Sequence, residues 1–153
     1  MRALLLRAAG YAWAGPFTLL ALVLLVAPAL LLRSRARVVA GVVEATGGPL
    51  PRALSRLLPG LSVAALTLGH VVLARSEEEA ARWRAHERVH VAQWARWGLL
   101  FPFAYLGASL VARLRGRDAY LDNPFEREAF RAAGGDGEGP AGIQGACEGP
   151  RPL

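Results

Sequence analysis

The feature that most constrains this chain is a long uncharged run near its N-terminus. No charged residue lies between Ala8 and Leu32, and the second half of this run is almost entirely aliphatic. A helix needs only about 20 such residues to cross a bilayer. Tyr11 and Trp13 lie where interfacial aromatic residues are common. The run therefore predicts a transmembrane anchor within residues 1–35, and membrane lipid as a partner.

The same run has the basic start and the apolar middle of a cleaved signal peptide. It is longer than such a peptide requires, and the Arg33-Ser34-Arg35 that follows it does not have the small-x-small pattern of a cleavage site. We therefore expect a retained, single-pass membrane anchor. Arginines flank both ends, and the slight excess after Leu32 favours a cytoplasmic location for the rest of the chain.

A second feature is the sequence His86-Glu87-Arg88-Val89-His90, which has the pattern H-E-x-x-H. Residues four apart share one face of a helix, so both imidazoles can reach the same ion. Glu87 lies beside them, where its carboxylate can accept a proton from a metal-bound water. The pattern is typical of a zinc hydrolase, with Glu87 as the catalytic residue and the two histidines as metal ligands.

The surroundings of this motif favour a metal site over two ordinary helical histidines. Ser76 and Glu79 form a capping box, and the helix that it starts continues without Gly or Pro to about Trp97. One stripe of this helix carries the motif and three tryptophans: Trp83, His86, Glu87, His90, Trp94 and Trp97. The stripe is expected to face an apolar interior, where these polar groups would be costly to bury without a metal.

A catalytic zinc site usually has a third protein ligand. Asn123 as N-cap and Pro124 at the first helical position predict a new helix with Glu126 in its first turn. We expect Glu126 to be the third ligand, the alternative being that it caps its own helix. His70, expected within a strand, and Glu128 are the weaker candidates.

His86-Glu87-x-x-His90 followed by Glu126-x-x-Ala129 resembles the gluzincin-type zinc metallopeptidases. It is most similar to their small membrane-associated branch, the prenyl-protein and heat-shock-type membrane proteases. The resemblance implies that His86, His90 and Glu126 hold Zn²⁺, that Glu87 is the general base, and that the substrate is a peptide or protein.

The alternative function is a non-catalytic, membrane-tethered metal-binding or scaffold protein with a zincin-like core. It is favoured because no residue can be assigned to stabilise an oxyanion. The spacing of Tyr105 and Tyr120 gives neither of them that role. A domain this small leaves little room for a substrate cleft, which is compatible with a homo- or hetero-oligomer.

The predicted fold is α+β, with a minimal zincin-like core in residues 36–133. The core contains short antiparallel strands, the H-E-x-x-H helix and a downstream helix that carries Glu126. One strand is expected over Arg37–Glu44 and a second within 61–75, mostly from Ala64 onward. The apolar stretch 98–112 is expected to be a buried helix packed on the zinc helix, with a re-entrant or membrane-lying segment as the alternative.

Composition limits the remaining possibilities. The net charge is +6, and arginine supplies every basic side chain other than histidine. These arginines are scattered among apolar runs, so no nucleic-acid partner is expected, and an anionic membrane surface is the more natural one. Cys147 is the only cysteine, so the chain forms no intrachain disulfide. Residues 134–153 are rich in Gly, Pro and Glu and are expected to be a disordered tail.

Overall fold

Helices alternate with two β-hairpins in the computed structural model, which describes residues 2–57 and 65–134. The elements are α1 (Arg2–Ala21), a π-helical segment (Leu22–Val26), α2 (Ala27–Leu31), β1 (Arg35–Val39), β2 (Val42–Thr46), α3 (Leu50–Leu57), β3 (Ala65–Leu68), β4 (Val71–Ala74), α4 (Glu77–Trp97), a 3-10 segment (Gly98–Leu100), α5 (Phe101–Leu114) and α6 (Pro124–Ala132). The chain divides into a first unit, Met1–Pro102, and a second unit that begins at Phe103. The predicted α+β class is confirmed.

The N-terminal helix is apolar and long, as the sequence predicts. By length and composition, Gly10–Leu31 suffices to cross a membrane, and the helical stretch Glu77–Leu114 meets the same criterion. Aliphatic side chains on the first of these helices are left exposed by the protein: Leu19, Leu20, Val23, Leu24, Leu30 and Leu31. An exposed aliphatic surface of this kind suits lipid better than water.

The other face of α1 packs against the rest of the first unit. Ala14 and Ala21 are fully buried on it, and the Phe17 and Trp94 rings approach to 4.7 Å between centroids. The Tyr11 hydroxyl donates a hydrogen bond of 2.9 Å to the carbonyl oxygen of Gly41. The helix is therefore part of the folded unit over much of its length. The predicted boundary between an anchor, 1–35, and a domain, 36–133, stays a prediction.

The single strand predicted over Arg37–Glu44 is wrong, because the chain turns back at Ala40-Gly41. Both residues have positive φ, 47° and 80°, which is the conformation that joins two strands through a two-residue turn. The predicted second strand is divided in the same way at Gly69-His70, so His70 lies in a turn and not within a strand. Residues 61–64 of that prediction lie outside the described part of the chain.

The four strands form one sheet in the order β1-β2-β4-β3. The two hairpins, β1–β2 and β3–β4, are antiparallel as predicted, but the central pair β2–β4 is parallel. A parallel pair requires the chain to cross over before the second strand is laid down. Here the chain passes through α3 between the two hairpins. The predicted antiparallel pairing is therefore confirmed for the two hairpins and wrong for the central pair β2–β4.

Strand β4 is buried throughout and separates two small apolar layers. On one side Val71 and Leu73 pack with Ala21 and Val26 of the N-terminal helix. On the other side Val72 packs with Val91 of α4 and Val42 of β2. Strand β4 therefore lies between the end of the N-terminal helix and α4, the helix that carries the H-E-x-x-H motif, whereas the earlier part of α1 contacts α4 directly through Phe17 and Trp94.

A buried carboxylate, Glu44 of β2, holds α4 to the sheet. Its oxygens accept hydrogen bonds from Arg84 at 2.9 and 3.1 Å and from Arg37 at 3.2 Å, and an Arg88 nitrogen lies 3.7 Å away. Burial by itself would raise the pKa of Glu44, but the Arg84 and Arg37 guanidinium groups outweigh it and lower the pKa below the ordinary value of 4.5. The folded state therefore stabilises the charged form of Glu44 relative to the unfolded state.

The second unit contains α6 and most of α5. Asn123 is fully buried, and its side-chain oxygen accepts a 2.9 Å hydrogen bond from the backbone N–H of Phe125. Its side-chain nitrogen donates to the Tyr105 carbonyl oxygen at 3.1 Å and to Ser109 Oγ at 2.8 Å. The predicted N-cap Asn123, with Pro124 in the first helical turn, is confirmed.

The apolar stretch 98–112 is helical, but the expectation that it is buried is wrong for much of its surface. Phe103 is 74% exposed and Leu106 is 65% exposed. Pro102 does not interrupt α5 because it lies in the first turn, where the missing N–H has no helical partner to lose. Beyond Gly134 the predicted disordered tail lies outside the described residues.

We expect Glu44→Gln to lower the free energy of unfolding by about 2 kcal/mol at neutral pH, because hydrogen bonds to a charged group are lost. Since the pKa of Glu44 is lower in the folded state, its contribution is present above the unfolded-state pKa. It disappears as the pH falls through the lower folded-state pKa, so the difference between wild type and variant shrinks on acidification. Denaturation of the detergent-solubilised protein, followed by circular dichroism across this pH range, measures both effects.

The matched control is Glu77→Gln. Glu77 lies 3.8 Å from Arg35 in an exposed pair, and such pairs contribute about 0–1 kcal/mol. Equal destabilisation by the two substitutions would contradict the role assigned to Glu44.

Candidate metal centre

Helix α4 begins and ends where the sequence predicts. Ser76 is its N-cap, and the Ser76 hydroxyl oxygen accepts a 3.2 Å hydrogen bond from the backbone N–H of Glu79. Acidic residues in the first turn, 77–79, interact favourably with the positive end of the helix dipole. Gly98 ends the helix with a φ of 52°. Local signals thus fix the helix on which the motif lies.

The motif faces the interior, as expected from the stripe. His86, Glu87 and His90 are 2%, 6% and 8% exposed. Trp94 is also buried, and Trp83 is partly buried with its ring edge-on to His86. Trp97, the last residue of the helix, is 38% exposed, so the predicted inward stripe ends at Trp94.

The two histidines direct the same ring atom toward each other. His86 Nε2 and His90 Nε2 lie 3.1 Å apart, and the rings are inclined at 76°. Two nitrogens that each lie 2.0–2.1 Å from a tetrahedral zinc ion are separated by about 3.3 Å. The observed spacing therefore matches two adjacent coordination positions.

Gln93 contacts one of these rings. Its side-chain oxygen, which can only accept, lies 2.8 Å from His90 Nδ1, and this contact favours the tautomer with the proton on that nitrogen. Neutral His90 then presents a lone pair at Nε2, toward His86. Metal-binding histidines are usually oriented by such a partner on the other ring nitrogen. Gln93 is fully buried.

Sequence reasoning missed Gln93, although a signal for it was present. A residue three positions after His90 lies on the same face of the helix. A long amide at that place among tryptophans would need a buried partner. The nearest polar group on that face is the imidazole of His90.

Glu87 is tied to the neighbouring edge strand β3. The Thr67 hydroxyl donates a 2.5 Å hydrogen bond to Glu87 Oε2. The carbonyl oxygen of Thr67 accepts a 3.4 Å hydrogen bond from the Trp94 ring nitrogen. Thr67 therefore orients the predicted catalytic carboxylate. No spacing in the sequence points to Thr67, because the contact depends on how β3 packs against α4.

Glu126 lies in the second unit, in the first turn of α6, and is buried. Its Oε1 accepts a 2.7 Å hydrogen bond from the Tyr105 hydroxyl. The alternative carboxylate, Glu128, is exposed. Tyr105 thus orients one Glu126 oxygen, a role that its position in the sequence does not reveal. The assignment of Glu126 as a ligand stays a prediction.

His70 is engaged elsewhere in the first unit. Its ring stacks on Tyr11 at 4.0 Å, its Nδ1 lies 3.3 Å from Thr18 Oγ1, and its backbone N–H donates to the same oxygen at 3.1 Å. Burial lowers the pKa of its imidazole below the ordinary value. These contacts belong to the packing of α1 on the second hairpin, and we do not propose His70 as a metal ligand.

Comparison with known protein families, with curated proteins and with solved structures finds no match to this chain. The residues themselves therefore carry any functional assignment.

If the predicted zinc site forms, we expect Gln93→Leu to weaken zinc binding by about 10- to 100-fold, the usual cost of removing a partner that orients a metal-binding histidine. Competition with a chromophoric chelator measures this affinity. Gln93→Glu, which keeps an acceptor at the same distance from the helix, is the matched control and should retain most of it. Equal affinity in wild type and the leucine variant would show that Gln93 does not orient a ligand.

Proposed function

We propose that this protein is a membrane-anchored zinc metallopeptidase. The observation that carries the proposal is the convergence of His86 Nε2 and His90 Nε2, 3.1 Å apart on a buried helix face that also carries Glu87. A purely structural zinc site has no need of a carboxylate beside its ligands, whereas a hydrolytic site does.

His86, His90 and Glu126 are the proposed zinc ligands. Two imidazoles and one carboxylate are a donor set that suits zinc and leaves a coordination position for water. All three side chains are buried. Gln93 orients His90, and Tyr105 orients Glu126, as the partners of metal ligands commonly do.

Glu87 is the proposed general base. Bound zinc would supply Lewis acidity, lowering the pKa of a water molecule and polarising a peptide carbonyl. Glu87 accepts the proton of the attacking water and then delivers it to the departing amine. Thr67 holds one oxygen of this carboxylate, which limits its rotation. The burial of His86, Glu87 and His90 limits the access of bulk water and strengthens these interactions.

We also propose that the N-terminal helix is a single-pass anchor, with the metal centre on the cytoplasmic side. The support for the anchor is the apolar Gly10–Leu31 helix and its exposed aliphatic face. The support for the orientation is the excess of arginine after Leu32. Peptides or proteins at the membrane surface are the proposed substrates.

Metal content tests the proposed ligands. Detergent-purified wild type should contain nearly one zinc per chain, and His86→Ala and Glu126→Gln should each lose most of it. Matched controls are His70→Ala, a histidine outside the motif, and Glu128→Gln, an exposed carboxylate on the same helix as Glu126. Loss of zinc in the controls alone, or no zinc in the wild type after reloading, would overturn the assignment.

Peptide cleavage tests the role of Glu87. We expect Glu87→Gln to retain zinc and to cleave peptides about a hundredfold more slowly or worse, the usual loss when a general base is removed. A quenched fluorescent peptide library measures the rate. A wild type that binds zinc and cleaves nothing would instead support the non-catalytic metal-binding function.

Thr67→Val should lower kcat by about tenfold while leaving the zinc content unchanged, because a hydrogen bond to a charged group contributes about 1.5 kcal/mol. Thr67→Ser, which keeps the hydroxyl, should restore most of the rate. If valine and serine behave alike, the hydroxyl has no part in positioning Glu87.

A further inference from the structure

Helix α5 exposes a continuous apolar stripe. The stripe consists of five large side chains with the exposures Phe103 74%, Leu106 65%, Leu110 56%, Val111 44% and Leu114 77%. At 100° per residue these positions, together with Gly107, cover about 140° of the helix surface. Soluble monomers rarely leave an apolar patch of this extent in water.

The opposite side of α5 is occupied by the second unit itself. Tyr105 contributes its carbonyl oxygen and Ser109 its hydroxyl to hydrogen bonds from Asn123. Ala112 is buried. The helix therefore has one face that the protein uses and one face that the described protein leaves bare.

The charges around α5 favour lipid as the environment of this bare face. No charged residue occurs from Trp97 to Ala112. Three arginines then lie at the end of the helix, Arg113 in its last turn and Arg115 and Arg117 beyond it. Arginines at the end of an apolar helix place their guanidinium groups among lipid phosphates while their methylene groups stay with the acyl chains. Tyr120, which is 37% exposed, adds an aromatic residue of the type common at this level of a bilayer.

We propose that α5 lies in the plane of the membrane interface, with the stripe in the acyl region and Arg113, Arg115 and Arg117 against anionic headgroups. Its 14 residues span about 21 Å, whereas the hydrocarbon core is about 30 Å thick. The longer helical stretch Glu77–Leu114 meets the length criterion for a span, but its uncharged part, 97–112, covers only about 24 Å. The apolar segment is therefore too short to cross, and its single apolar face fits an interfacial position. The N-terminal helix, a candidate span by length and composition, would hold the protein at the bilayer. This second membrane contact does not depend on the proposed metal or activity.

The contact has a consequence for the second unit. The backbone of α5 that carries the stripe also carries Tyr105, whose hydroxyl holds the Glu126 carboxylate. Fixing α5 in the interface therefore keeps this carboxylate close to the membrane surface. A substrate presented from the bilayer would reach it without leaving the interface.

Depth-dependent quenching tests the proposal at single positions. Cys147 is the only cysteine in the chain, so Cys147→Ser provides a background for Leu106→Cys labelled with an environment-sensitive fluorophore. The full-length protein is reconstituted in vesicles of phosphatidylcholine and phosphatidylglycerol that contain nitroxide-labelled lipid. We expect blue-shifted emission and strong quenching at position 106. The matched control, Arg127→Cys on the exposed side of α6, should show neither.

Every outcome decides the question. Anchoring by the N-terminal helix is common to both labelled variants, so the test rests on the difference in quenching between positions 106 and 127. Quenching at position 106 that is no greater than at position 127 would overturn the proposal. Efficient disulfide formation between two copies at position 106, without lipid quenching, would also overturn it and would assign the stripe to a dimer. Leu106→Ser, unlabelled, serves as a check that the substitution leaves the circular dichroism spectrum unchanged.

Discussion

The structure depends on fixing helix α4 against the sheet while the helix carries polar groups into the interior. Arg84 and Arg88 are held by Glu44 of β2, and Glu87 is held by Thr67 of β3. Glu87 lies about 60–100° around the helix from these arginines. A single hydrogen bond is worth only about 1–3 kcal/mol, but two ties to different strands oppose rotation of the helix about its axis. The histidines of the motif keep one orientation as a result.

The N-terminal helix has two different surfaces, and its sequence reflects both. Small residues such as Ala14 and Ala21 allow close approach to the first unit, and Thr18 reaches His70 at the turn of the second hairpin. The remaining surface is aliphatic and exposed. A tether that only held a separate domain at the membrane would need no polar contact with that domain. The hydrogen bond from Tyr11 to Gly41 and the contact of Thr18 with His70 make the N-terminal helix a structural part of the unit.

The sequence predicted correctly the features that depend on local signals. The caps at Ser76 and Asn123 and the extent of α4 follow from residues close together in the chain, and all three are correct. The two hairpins were missed because Ala40-Gly41 and Gly69-His70 divide runs that look like continuous strands. The residues that orient the side chains of the motif were harder to predict. Thr67 touches Glu87 only after β3 packs on α4, and no spacing encodes that contact. The ligand role of Glu126 rests on the sequence pattern and is a proposal.

The composition of the core explains why polar contacts matter for the stability of this protein. Its buried apolar residues are mostly alanine and valine, and the largest fully buried side chains are Gln93, Val71 and Asn123. Burying small side chains yields little free energy, since the gain scales with apolar area. Two of these three large groups are amides, which stabilise the interior only when hydrogen-bonded. Both are bonded, Gln93 to His90 and Asn123 to the backbone of Phe125 and to Ser109. Among the described residues several leucines stay exposed, and the proposed membrane contacts would bury them.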